Sequence, residues 1–110
     1  MNWPGIVKHA GDAELIYVSD QSEWYNDVDL HYSEYGESDY LIDSSGDIYT
    51  LTERSNNYVE PQANGSTMSL SEILGLVKVH AAMKGSCCVS KLYAPTINDA
   101  FRLVESLNKT

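Results

Sequence analysis

The sequence predicts an α+β fold: a small antiparallel or mixed β-sheet, with two main helices over residues 69–84 and 96–108 packed on it and one short helix near residues 20–26. Two observations predict it. Short β-branched and aromatic runs separated by turn residues fill the first half, and helix-capping sequences precede apolar helical periodicity in the second half. With 110 residues, 43% of them hydrophobic and 21% charged, we expect residues 1–110 to form one globular domain.

The strand predictions rest on two pairs of β-rich runs. Residues 5–9 and 13–18 are joined by the turn sequence AGD and predict a first hairpin. The stretch DYLIDSSGDIYTLT predicts a second hairpin, in which Gly46 supplies the positive φ of a tight turn. The polar residues 53–67 contain Pro61 and Gly65 and indicate a loop or an irregular edge strand.

Helix signals follow the first hairpin. Asp20 precedes Glu23 by three residues, the spacing of a capping box, and this predicts the short helix near residues 20–26 that carries Trp24. The next segment, residues 28–32, is predicted to extend as a strand or to remain a loop.

The two long helices have clear starts. Ser69 and Glu72 form a capping box that opens helix 69–84, and Gly85 ends it. Apolar residues at helical spacing predict that this helix is central and largely buried. The last helix is predicted to open near Thr96, and the residues of its inner face are Ile97, Ala100, Phe101, Val104 and Leu107.

A strand is predicted between these two helices, in the stretch that contains Cys87 and Cys88. Side chains alternate along a strand, so the two sulfur atoms are expected on opposite faces and at most one thiol is expected to reach solvent. A disulfide between adjacent cysteines would close a small strained ring, so we expect both cysteines to remain reduced thiols.

The charge is distributed unevenly. Residues 12–60 hold 13 Asp or Glu against Arg54 alone, a net charge of −12, whereas the remaining residues sum to +3 and the chain to −9. Such an acidic surface disfavours nucleic-acid binding and leaves steering toward a basic protein partner open. The alternative interpretation is that the acids simply keep a small protein soluble. No apolar run of membrane-spanning length and no secretory pattern occurs, so we expect a cytoplasmic protein that binds no membrane.

Several stretches resemble a known family. They are NWPGIVKH, DAELIYV with a following tryptophan, LIDSSGDIY, and the closing KLYA and NDAFRLVESL. They are similar to a domain-of-unknown-function family of small acidic bacterial proteins over most of the chain. The resemblance implies a small α+β domain and carries over no activity and no site residue.

Catalytic and metal-binding motifs give little support for other functions. The sequence has no G-x-S-x-G elbow, P-loop, G-x-G-x-x-G or H-E-x-x-H motif, so an enzyme is disfavoured. The cysteines and His9, His31 and His80 are zinc-ligand types, but their spacing is not that of a zinc site. His80 is expected as a partly buried core histidine. We expect no cofactor.

The leading hypothesis is a non-enzymatic protein-interaction module, because aromatic residues among carboxylates can anchor a protein interface. An alternative interpretation is that the tyrosines pack over the sheet edge and expose only their hydroxyls. The predicted binding surface consists of Asp27, Asp29, Tyr32, Glu34, Tyr35, Glu37, Asp39 and Tyr40. Its expected partner is a basic protein or a second copy of the chain. The alternative is a thiol- or metal-dependent function at Cys87 or Cys88.

Overall fold

The computed structural model of the protein describes residues 1–86 and 89–108. The strands are β1 (Gly5–Lys8), β2 (Leu15–Val18), β3 (Tyr40–Asp43), β4 (Asp47–Thr50), β5 (Arg54–Ser55), β6 (Tyr58–Val59) and β7 (Gln62–Thr67). The helices are α1 (Gln21–Asn26), α2 (Val28–Tyr32), α3 (Leu70–Met83) and α4 (Ile97–Asn108), with a short 3₁₀ helix at Val89–Lys91.

Five strands form an antiparallel sheet in the order β2-β1-β3-β4-β7, which confirms the predicted α+β class and both predicted hairpins. β7 lies at one edge and pairs with β4 through an irregular register between Asp47 and Tyr49, as expected for an irregular edge strand. β5 and β6 form a separate two-stranded hairpin that was not predicted.

Alternation along the strands gives the sheet two apolar faces, as Ile6 and Val7 illustrate. One face packs with α3 and α4, and its buried residues are Ile6, Leu15, Ile42, Ile73, Val77, Ala94, Ala100, Phe101 and Val104. The other packs with α1, α2 and the β5–β6 hairpin, and its buried residues are Val7, Val18, Trp24, Leu30, Leu41, Leu51 and Val59. The sheet is therefore the middle of three layers.

The two long helices begin where the capping sequences predict. Ser69 Oγ accepts from the Glu72 backbone at 3.2 Å, and the Glu72 carboxylate accepts from the Ser69 backbone at 3.1 Å, so the capping box is complete. Only one face of α3 is buried, however, since Val79 and Met83 on the opposite face are exposed. α3 lies in an outer layer, which corrects the expectation of a largely buried helix.

Two local predictions were wrong. Val28–Tyr32 is a helix rather than a strand or loop, because the Asp27 carboxylate accepts from the backbone of Asp29 and Leu30 and caps it. Val89–Lys91 forms a 3₁₀ helix rather than part of a strand. The segment joins two helices that pack on each other, so it has only to reverse the chain and a short 3₁₀ turn suffices.

Candidate binding cleft

A cleft of about 340 Å³ opens on the side of the sheet that carries the two short helices. It lies between α2 and the β5–β6 hairpin, and its lining residues are Tyr25, Val28, His31, Tyr32, Arg54, Asn57 and Tyr58. This volume is at the lower end of the range of small-molecule and side-chain pockets.

Buried polar contacts join the two walls of this cleft. The Trp24 indole donates to the Val59 carbonyl at 3.1 Å. His31 bridges the same two residues, since its Nδ1 lies 3.0 Å from the Val59 backbone nitrogen and its Nε2 lies 2.8 Å from the Trp24 carbonyl oxygen. An amide nitrogen can only donate and a carbonyl can only accept, so the ring is the neutral Nε2–H tautomer. These buried hydrogen bonds therefore hold α1, α2 and β6 together behind the cleft.

Three rings form a right-angled corner in the cleft. Tyr25 and His31 stack with an interplanar angle of 16° and a centroid separation of 6.1 Å. Tyr58 meets Tyr25 at 77° and His31 at 86°, with centroids 5.4 and 5.1 Å away. The Tyr25 hydroxyl donates to Glu60 at 2.9 Å, and this bond, with burial and the Glu60 charge, raises the pKa of Tyr25. The ring of Tyr25 is thereby held in place.

Arg54 lines the cleft beside the C-terminal end of α2. Its guanidinium donates to the carbonyl oxygens of His31 and Ser33, which follow one another closely at the C-terminal end of α2. A cation stabilises such an end because the helix dipole is negative there. The turn of the hairpin is made by Asn56 and Asn57. Asn56 has a φ of 58°, in the left-handed region that asparagine tolerates.

The cleft exposes apolar surface. Tyr32 is 79% exposed, Val28 60% and Tyr58 43%. Val28 also borders a second depression of about 410 Å³, whose other lining residues are Glu23, Asn26, Asp27 and Asp29. An aromatic cleft and a carboxylate-bearing depression are thus adjacent and share one side chain.

The structure brings together three residues of the predicted binding surface. Tyr32 lines the cleft, and Asp27 and Asp29 line the adjacent depression. Glu34 and Glu37 are exposed on the loop between α2 and β3.

The other predicted residues have contacts within the fold. Asp39 is buried and accepts from the backbone of Ala10 at 2.6 Å and Gly36 at 2.7 Å, and these bonds lower its pKa. The Tyr35 ring stacks on His9 at 5.2 Å and its hydroxyl donates to a backbone carbonyl, while burial raises its pKa. Tyr40 packs against the core beneath α3 and α4, on the face of the sheet opposite to the cleft. Asp39 and Tyr35 thus anchor the loop before β3.

Most of the lining residues were not among the predicted site residues. Tyr25, His31, Arg54 and Tyr58 are brought together by the β5–β6 hairpin, which falls in a stretch interpreted as a loop or edge strand. The pair Asn56-Asn57 between Arg54-Ser55 and Tyr58-Val59 is a two-residue hairpin signal that could have found it.

The histidines are separated in the fold. His9 stacks on Tyr35, and His31 lies in the cleft. His80 belongs to α3 and accepts a hydrogen bond from the backbone of Leu15 in β2. Within residues 1–86 and 89–108, no group of three or more His, Cys, Asp or Glu is placed to hold a metal ion. Cys87 and Cys88, on which the thiol- or metal-dependent alternative depends, lie outside the described residues.

Comparisons with known proteins give the fold and a family. A family model described as a protein structure with unknown function matches residues 3–104. The chain is similar to an NMR structure of a protein from Shewanella amazonensis, with a TM-score of 0.68 and 23% identity, covering 97% of this chain and 90% of that one. No curated protein matches the sequence. In the part of the chain that is described, each helix is too short or too polar to cross a membrane.

Proposed function

The chain belongs to the family DUF4144, a family of unknown function, as the resemblance of its sequence motifs had indicated. We propose that it is a non-enzymatic module that binds a basic segment of a partner protein. The binding site is the cleft together with the adjoining carboxylate-bearing depression.

The observation that carries this proposal is the convergence of exposed aromatic and aliphatic side chains on one cleft. Tyr32, Val28 and Tyr58 contribute apolar area that lies in water when the chain is alone. Tyrosine is enriched at protein interfaces because it combines apolar area with a polar tip at a low cost in side-chain entropy. Covering these side chains would provide the hydrophobic part of the binding free energy.

Charge favours a basic occupant. Glu23, Asp27 and Asp29 line the depression beside the cleft, within a segment whose net charge is −12. A Lys or Arg near the inserted side chain would lie close to these carboxylates, and the surrounding field would speed its association. A second copy of the chain is the less favoured occupant, because two molecules of net charge −9 repel each other.

The chemistry of the lining supports binding rather than catalysis. His31 is the residue of the cleft best suited to general acid–base catalysis, but both of its ring nitrogens are bonded to backbone groups. The Arg54 guanidinium is engaged with two carbonyl oxygens. The imidazole of His31 and the guanidinium of Arg54 are therefore committed to holding the shape of the cleft.

The proposal is tested by mapping peptide binding onto the ¹⁵N-labelled protein with NMR. The probe is a short peptide in which Lys and Arg flank one Leu or Tyr, and the control is the same peptide with Glu in place of each basic residue. We expect shift changes confined to α1, α2 and the β5–β6 hairpin, and weaker binding at higher salt.

Two results would contradict the proposal. One is the absence of shift changes around the cleft at millimolar peptide. The other is equal binding of the acidic control peptide, since this would remove the electrostatic basis of recognition.

A further inference from the structure

The rings of Tyr25, His31 and Tyr58 form a right-angled corner in the cleft, and this arrangement suits a cation. The face of Tyr58 stands nearly perpendicular to the stacked Tyr25 and His31 rings, at 77° and 86°. The Tyr32 side chain lines the same cleft and is largely in solvent. A ligand in the cleft therefore meets aromatic rings from more than one direction.

Aromatic faces attract cations, because the ring quadrupole places negative potential above the plane. Among the described residues, those that line this cleft include no Asp or Glu. A primary ammonium entering it would give up hydrogen bonds to water and find no carboxylate to replace them. A quaternary ammonium has no N–H group to satisfy, so it loses less on entering.

The nearby carboxylates act at longer range. Glu23, Asp27 and Asp29 lie in the neighbouring depression, which shares Val28 with the cleft. They favour a positive charge in this region without occupying the aromatic corner. We propose that the cleft binds the trimethylammonium group of a trimethylated lysine in a partner protein. This inference rests on the proposed function and names the ligand of the same site.

Arg54 provides a sharp internal test, because its positive charge lines the same cleft and opposes a bound cation. Its guanidinium is held by the His31 and Ser33 carbonyls at the end of α2, which accounts for its presence there. Arg54→Gln keeps a donor for these carbonyls and removes the charge. The variant should bind the trimethylated peptide more tightly, whereas a site for an anion would lose affinity.

The experiment compares three peptides that differ at one side chain. The first carries trimethyllysine, the second carries its neutral isostere with a tert-butyl group in place of the trimethylammonium, and the third carries unmodified lysine. We expect the trimethylated peptide to bind about tenfold more tightly than either of the others, as measured by NMR titration or calorimetry. Free choline, the small-molecule source of the same group, should bind more weakly than the trimethylated peptide.

A matched pair of variants locates the effect. Tyr58→Leu should abolish the preference for the trimethylated peptide while keeping apolar bulk in the cleft. Tyr93→Leu changes a tyrosine that is 73% exposed and lies outside the cleft, and it should leave the preference intact. Circular dichroism and thermal unfolding establish that both variants are folded.

The outcomes separate this inference from the proposed function. Equal binding of the isostere or of unmodified lysine overturns the trimethylammonium site and leaves a site for basic protein segments. Choline binding that equals or exceeds peptide binding overturns the assignment to a protein side chain. Failure of all three peptides overturns both proposals.

Discussion

His80 and Asn108 together close the edge of strand β2 at Leu15. The Leu15 amide donates to His80 Nδ1 at 3.0 Å, His80 Nε2 lies 3.1 Å from Asn108 Oδ1, and the Asn108 amide donates to the Leu15 carbonyl at 3.2 Å. The two side chains thus satisfy both backbone groups that a further strand would have paired. The ring of bonds joins α3, α4 and the sheet, and it requires His80 to be neutral at Nδ1.

This arrangement makes stability depend on pH. Burial, and next the Lys84 charge, lower the pKa of His80 below its ordinary value of 6.5. The unfolded chain therefore binds a proton more readily than the folded one, so the contribution of His80 is complete above about pH 6.5 and is lost as the pH falls through the lowered pKa. Urea unfolding from about pH 7 to about pH 5 should show a loss of up to about 1.4 kcal/mol per pH unit.

The matched variant is His80→Asn, which keeps an acceptor near the position of Nδ1 and does not titrate. Its stability should change less with pH over the same range, whatever its absolute value. Identical pH profiles for the variant and the unmodified protein would show that His80 is not responsible. Asp39 and Glu72, whose pKa values are lowered by backbone hydrogen bonds, act only at more acidic pH.

Asp43 organises the turn of the second hairpin. This buried carboxylate accepts from the backbone of Asn2, Ser45 and Asp47 and from the Tyr49 hydroxyl, at 2.9 to 3.1 Å. In Asp43→Asn one oxygen becomes an NH₂ group that cannot accept, so donors lose their partner. We expect a loss of about 1 to 3 kcal/mol in the free energy of unfolding, measured with urea. An unchanged value would indicate that the turn does not depend on this carboxylate.

Tyr49, which belongs to the same cluster, should make stability depend on pH in the alkaline range. Burial and then the hydrogen bond to Asp43 raise the pKa of Tyr49 to about 12. A folded pKa above the ordinary value of 10.0 contributes stability that is complete below pH 10.0 and is lost as the pH rises toward about 12. Spectrophotometric titration should contain a late tyrosinate component that is absent from Tyr49→Phe. If the variant retains this component, it belongs to another tyrosine.

Two glycines should respond to alanine in opposite directions. At Gly46 the φ is +87°, and an added Cβ would lie 2.6 Å from the Met68 carbonyl oxygen. Gly46→Ala should cost about 2 kcal/mol or more. At Gly75, in the exposed face of α3, no described atom lies within 4 Å of the added carbon apart from its chain neighbours and the backbone of its own helix. Gly75→Ala should stabilise by about 0.5 to 1 kcal/mol. The same sign of change in both melting temperatures would contradict this prediction.

The exposed tyrosine of the cleft should separate binding from stability. Tyr32 is 79% exposed, so Tyr32→Ala should change the free energy of unfolding by about 0.5 kcal/mol or less. The same change removes a large part of the proposed contact area, and affinity for the basic peptide should fall about tenfold. Tyr93→Ala serves as the control, with 73% exposure outside the cleft. Equal affinities for the two variants would exclude Tyr32 from the interface.

Local sequence signals were sufficient for much of the fold. The Ser69–Glu72 capping box, the Asp20 cap and the Gly46 turn depend on groups within a few residues of one another, so their geometry follows from chain chemistry alone. Asp27 was a cap of the same kind, and it was missed because the five-residue α2 is too short to have a visible apolar period.

The candidate site could not be predicted in the same way. His31 meets Val59 across 28 residues, and Trp24 meets the same residue across 35, through buried contacts that no local pattern specifies. Asp39 was predicted to belong to the binding surface because it lies in an acidic stretch of the sequence. Its hydrogen bonds to the backbone of Ala10 and Gly36, which only the structure shows, make it part of the fold instead.

The sequence by itself determined the α+β class, the principal hairpins, the starts of the long helices and the acidic character of residues 12–60, because each depends on composition or on neighbours along the chain. Only the tertiary structure decided which carboxylates are free and which tyrosines share a cleft. That outcome depends on how α1, α2 and the β5–β6 hairpin pack on one face of the sheet. Packing of distant segments sets exposure, and exposure decides which of these side chains can meet a partner.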